Sequence, residues 1–202
     1  MLTHVGVSST AIEDISRHCR TSRSLAFAYF YFEFDGQDTQ SNSVLHNVLK
    51  SLMKQLGFQC GNVPNSLEKL FSEFADGLRS PTLEELLSTL QSIIASFEHV
   101  YIIFDALDEC QDRRHFLQIL KHIHGWELST SHLLATSRQE HDIARGLETL
   151  VSHDVQMEQT LVNGDIRVHV SKTLDYDDEF RMLPVKERKL VENTLAEGAG
   201  GM

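Results

Sequence analysis

Asp105, Asp108 and Glu109 follow directly on the apolar run Val100-Tyr101-Ile102-Ile103-Phe104. Five residues of mainly β-branched and aromatic type read as a strand buried on both faces, which places the acids at the carboxyl edge of a sheet. Open α/β sheets bind ligands at that edge, and a carboxylate fixed there can hold a hydrated Mg²⁺ beside a nucleotide phosphate. Asp105 is therefore the candidate metal holder, acting through water. Ala106 keeps the turn narrow, so Asp108 and Glu109 bring a second acid to the same crevice, where it can orient or deprotonate an attacking water. Arg138 leaves a second apolar run, His132-Leu133-Leu134-Ala135-Thr136. On a neighbouring parallel strand its guanidinium would reach the same crevice and contact a terminal phosphate. The plainer alternatives are a buried strand ending in a solvated acidic turn, and an Arg138 that pairs with a surface carboxylate such as Glu140 or Asp142.

The elements that would position these groups alternate along the chain. Residues 8–19 read as a helix with a hydroxyl cap and early acids, and residues 25–32 (LAFAYFYF) as a second buried strand. Ser41-Asn42-Ser43 cap a helix with Val44, Leu45, Val48, Leu49, Leu52, Met53 and Leu56 on one face, and Gly57 reads as its stop. A loop over 57–65 leads to a helix carrying Leu67, Leu70, Phe71 and Phe74 and ending near Gly77. Thr82 and Glu85 have capping-box spacing before a long stripe, Leu83 to Phe97. A helix over 113–124 follows the acids, and His132 to Thr136 reads as a third buried strand. A fourth, weaker strand is expected at 153–157, then helices at 165–174 and 185–197. The fold class is α/β: an open parallel sheet with helices on both faces, followed by a short helical segment. The expected division is 1–160 for the sheet domain and 161–202 for the start of a helical one.

Composition excludes several classes. A formal net charge of -11 with no cluster of Lys and Arg argues against nucleic acid and acidic membrane surfaces as partners. Three dispersed cysteines suit a reducing compartment, and no run approaches the roughly 20 apolar residues of a membrane helix, so the cytoplasm is the expected location. Among the 11 histidines, His122 and His124 are the tightest pair, but spacing of two on a helix turns the rings apart. Ser137 has no G-x-S-x-G elbow around it.

The acidic block YIIFDALDEC, followed by HLLATSRQEHDI, with SSTAIEDI upstream and NGDI near residue 163, resembles the NACHT class of signal-transducing P-loop NTPases. The nearest flavour is the nephrocystin-like amino-terminal module of filamentous fungal proteins, and the resemblance covers nearly the whole chain. It implies a P-loop NTPase-like sheet, Mg-ATP as cofactor, and a conformational switch driven by hydrolysis. It also implies protein partners or self-assembly, with ankyrin or other repeats downstream. Asp105 then matches the Walker B acid, Asp108 and Glu109 the second acidic pair that supplies the catalytic base, and Arg138 the sensor residue.

Phosphate cradling needs G-x-x-x-x-G-K-[ST], which residues 1–202 lack; the first lysine is Lys50, and Met1 to Val7 stand where the resemblance places the loop. The first strand of that family is missing with it, so the chain reads as a truncated module with impaired nucleotide binding. The alternative function is a nucleotide-independent interaction module. Either way, the Arg138 strand is expected to present an exposed edge or to re-pair directly with the strand near residue 155.

Overall fold

Leu25–Tyr31 (β1), His99–Asp105 (β2) and Ser131–Ala135 (β3) form three parallel strands in the order β1-β2-β3. The computed structural model describes residues 3–33, 41–75, 79–126, 128, 130–155, 159–176, 180 and 182–198. Contacts divide the chain into two compact units, Ser8–Val151 and a second made of Met1–Val7 with Ser152–Met202. The sheet lies in the first.

Alternation along the strands gives the sheet two different faces. Ala26, Ala28, Val100, Ile102 and Phe104 share one, and pack into the core with helices α2 (Ser41–Gln59), α4 (Leu83–Ile94) and α5 (Arg113–His124). Phe116 of α5 meets both Phe104 and Phe32 edge-on at 5.0 Å. Each fully buried Leu, Ile or Phe here contributes roughly 1.5–3 kcal/mol. The other face carries Tyr101 and Asp105, and α1 (Thr3–Cys19) lies over it: His18 contacts the Tyr101 ring at 5.9 Å, and Ser8 meets Asp105. Helices therefore cover both faces of an open parallel sheet.

Helix α2 does more than fill the core. Gln59 accepts a hydrogen bond from Phe27 N at 3.1 Å and donates to Phe27 O at 2.7 Å. One turn earlier, Gln55 accepts from Tyr29 N at 3.1 Å and donates to Tyr29 O at 2.8 Å. Side chains four apart on a helix thus meet residues two apart on a strand, and two carboxamides take the place of a fourth strand along β1. β3 has no such cover among the described residues, and Leu133 and Leu134 are each 39% exposed.

Helix α3 (Asn65–Phe74) sits beside α2 through Gly57, where a Cβ would come within 2.9 Å of Leu67 Cδ2. α6 (His141–Leu147) buries Ile143 into the same core. In the second unit, α7 (Gln159–Tyr176) and α8 (Val185–Gly198) pack together, with Leu174 buried and Arg188 paired to Asp175 at 2.6 Å.

Several expectations are corrected. α1 starts at Thr3, so Ser8 lies inside the helix instead of capping it. α2 continues through Gly57 to Gln59, because that glycine serves close packing with α3 and not termination. β3 is largely exposed instead of buried, and of the two outcomes expected for its edge the open one is found: among the described residues no strand pairs with it beyond β2. Residues 153–155 carry no strand, and the rest of that expected strand, 156–157, lies outside the described residues. α7 begins at Gln159 instead of residue 165. The expected hydroxyl cap of α2, at 41–43, and the stop near residue 77 fall on side chains or residues outside those described.

Candidate functional site

The carboxyl ends of β2 and β3 converge with α1 on one carboxylate. Asp105 is 5% exposed, and its Oδ1 accepts hydrogen bonds from both Ser8 Oγ of α1 and Thr136 Oγ1 just past β3. The Thr136 hydroxyl also accepts from Ala106 N at 3.1 Å. Backbone bonds fix the same corner: Thr136 N donates to Phe104 O at 2.9 Å, Leu107 N to Thr136 O at 2.9 Å, and Phe32 N to Asp105 O at 3.0 Å. Ala106 turns the chain with φ 56°, in the left-handed region, and starts the 3₁₀ turn Leu107–Glu109.

That turn sends its two acids to different sides. Asp108 faces β3, where its Oδ1 accepts from Arg138 N at 3.0 Å and its Oδ2 lies 3.4 Å from Arg138 Nε. Glu109 instead lines a shallow cavity of about 200 Å³ on the β1 side, together with Tyr31, Glu33, Asn47 and Cys110. Asp105, Asp108 and Arg138 are brought together at one edge, while Glu109 lines the cavity on the β1 side. Asp142, weighed as a partner for Arg138, pairs with Arg113 at 3.5 Å. Burial, then the neighbouring Tyr29 and the Asp105 carboxylate, push the Tyr31 phenol up from its usual value. Burial pushes the Cys110 thiol up to about 11, which makes it a poor nucleophile at neutral pH.

Sequence reasoning missed Ser8 and Thr136 as partners of Asp105. The available signal was a hydroxyl at the end of an apolar strand beside the acidic one, but nothing local set α1 over the acid.

A hydrated Mg²⁺ at Asp105 would compete with the two hydroxyls that already engage its carboxylate. Ser8 is fully buried and Asp105 nearly so. The Arg138 guanidinium lies against Asp108. No group of three His, Cys, Asp or Glu residues among those described could hold a metal ion.

An open parallel sheet flanked by helices, with acids gathered at the carboxyl edge of its central strand, defines a protein of the α/β class. Within that class the chain belongs to the nephrocystin 3, N-terminal family, whose model matches residues 7–138. The matched span starts next to Ser8 and ends on Arg138, and so contains every group of the acidic edge. No curated protein and no solved structure matches the chain. Among the described residues, no helix is long and apolar enough to cross a membrane.

Proposed function

We propose that this chain is a signalling module of NACHT type that works by associating with cytoplasmic protein partners or with its own copies, without turning over nucleotide. The observation that carries this reading is the engagement of the strand-end groups by one another: Asp105 by Ser8 and Thr136, and Arg138 by Asp108. Such an edge joins elements of the fold. Residues 1–202 by themselves offer no G-x-x-x-x-G-K-[ST] pattern, and several charge-assisted hydrogen bonds of roughly 1.5–3 kcal/mol each that such a loop gives a phosphate are not supplied by them.

A second reading is favoured by one arrangement. Asp105 ends the central strand and Arg138 follows its neighbour, so both stand at the edge where a nucleotide switch would hold Mg²⁺ and a terminal phosphate. In that reading Asp105 holds the ion through water, Arg138 meets the phosphate, and Asp108 or Glu109 orients water.

Calorimetry with ATP, with and without Mg²⁺, on residues 1–202 and on Asp105→Asn separates the two. No binding by the folded chain is expected. Micromolar, Mg²⁺-dependent binding that Asp105→Asn abolishes would overturn the nucleotide-independent reading in favour of the switch.

A further inference from the structure

The end of the sheet opposite the acidic edge carries a second cluster of ionisable side chains. His99 opens β2 and His132 lies in β3, and both stand on the face that α1 covers. His99 Nδ1 and His132 Nε2 are 3.1 Å apart. Their rings are held from the side: Tyr101, the register partner of His132, stacks on it at 4.7 Å with 19° between the planes, and His18 of α1 braces Tyr101 edge-on. The strand backbone beneath is fixed by Val100 N donating to Thr130 O at 2.8 Å. The nearby Glu98 carboxylate is engaged by Ser24 Oγ at 2.8 Å, and His132 is exposed to solvent.

We propose that His99 and His132 form a two-ligand site for a borderline divalent transition ion of the Zn²⁺ class, bound through His99 Nδ1 and His132 Nε2, with water in the remaining positions. Imidazole nitrogens about 2.0–2.1 Å from one tetrahedral ion stand about 3.3 Å apart, and at a right-angled site about 2.9 Å, so the observed separation lies within the bite of one ion. Ligand orientation is the second requirement of such a site, and the stacked Tyr101 supplies it without competing for the metal. Binding needs a lone pair on both facing nitrogens. Whichever neutral ring donates its N–H across the gap shifts that hydrogen to its other nitrogen, leaving N–H on His99 Nε2 and His132 Nδ1, and no net proton is released. No third His, Cys, Asp or Glu among the described residues completes the set, which makes this an open site. An ion here would clamp β3, the uncovered edge strand, to the central strand at its amino end. The site shares no residue with the acidic edge.

Zinc alone is the probe, titrated by calorimetry into the full chain in a non-chelating buffer near neutral pH. A site that loses at least about tenfold in affinity on His99→Gln and on His132→Gln, and that His122→Gln leaves unchanged, is the expected result. On the unsubstituted chain, histidine ¹⁵N resonances should assign coordination to His99 Nδ1 and His132 Nε2, which keeps the test independent of whether a variant folds. No zinc binding by the folded chain would overturn the proposal and leave the pair as an imidazole hydrogen bond. Binding that reports on other histidines would overturn it equally.

Discussion

Substituting the two glutamines of α2 tests whether side chains close the β1 edge. Gln59→Met keeps the length and most of the apolar packing of the side chain but removes both bonds to Phe27, at 3.1 and 2.7 Å, and the bond to Gln55 O at 2.9 Å. Three net hydrogen bonds of about 1 kcal/mol each give an upper value near 3 kcal/mol. Phe27 N and O are only partly buried, so water recovers part of this, and a loss of about 1.5–3 kcal/mol is expected. For a chain of this length each kcal/mol moves the melting temperature by about 2–4 °C, so the shift is roughly 3–12 °C. The double variant Gln55→Met, Gln59→Met also uncovers Tyr29 N and O, which restores a free row of strand donors and acceptors. Thermal and urea unfolding measure the first effect, and sedimentation across a concentration series measures the second. A double variant that melts with the parent and keeps the parent's association state would refute the reasoning, because the carboxamides would then be replaceable by water at no cost.

Three further outcomes follow from the acidic corner and from α4. Thr136→Val removes the donor to Asp105 and the acceptor for Ala106 N, and is expected to cost about 2–3 kcal/mol in urea unfolding; Ser137→Ala, whose hydroxyl bonds only an exposed carbonyl among the described contacts, should stay within about 0.5 kcal/mol. Ala106→Gly relieves a left-handed residue worth roughly 1–2 kcal/mol and adds about 0.5–1 kcal/mol of unfolded-state entropy, so a small net stabilisation is expected in the same assay. Glu85 is held at about 2 instead of 4.5, first by the Arg79 guanidinium and then by Thr82 N. Its folded value lies below its unfolded one, so its stabilisation is complete above 4.5 and fades as the pH falls toward 2. Glu85→Gln should therefore melt below the parent above 4.5 and approach it as the pH falls, as followed by circular dichroism.

Elements whose signals are local were legible in the sequence. β2 follows from an uninterrupted apolar run, and α4 from a capping box that the structure realises, with Thr82 Oγ1 accepting from Glu85 N and the Glu85 carboxylate accepting from Thr82 N. What escaped depends on partners distant in the chain. His132 to Thr136 has the composition of a buried strand, and although an open edge was expected there, the exposure of its side chains was not; among the described residues β3 has one strand neighbour. Gly57 has the type of a helix stop, but its role is set by Leu67 of another helix. Gln55 lies off the apolar stripe of the expected helix and Gln59 falls in the loop expected over 57–65, and only the strand beside them makes them part of the sheet. Asp108 and Glu109 are adjacent in sequence and read as one acidic pair. A 3₁₀ turn started by a left-handed alanine separates them, Asp108 toward Arg138 and Glu109 toward the β1 side.

The Asp105 carboxylate joins three elements: α1 through Ser8, β2 through its own backbone, and the end of β3 through Thr136. Removing it leaves two largely buried hydroxyls without their common acceptor, so Asp105→Ala would lower stability whether or not the edge ever meets a nucleotide. Loss of a cellular signal in that variant alone would therefore say nothing about ATP. Arg138→Ala carries the information instead, because Arg138 is half exposed and its pair with Asp108 is a surface contact worth at most about 1 kcal/mol. An interaction module should keep its association when Arg138 is removed, whereas a switch that holds a terminal phosphate through this guanidinium should lose nucleotide-dependent assembly while remaining folded. Arg138, whose side chain is half exposed, is thus the residue that best distinguishes what the edge is for.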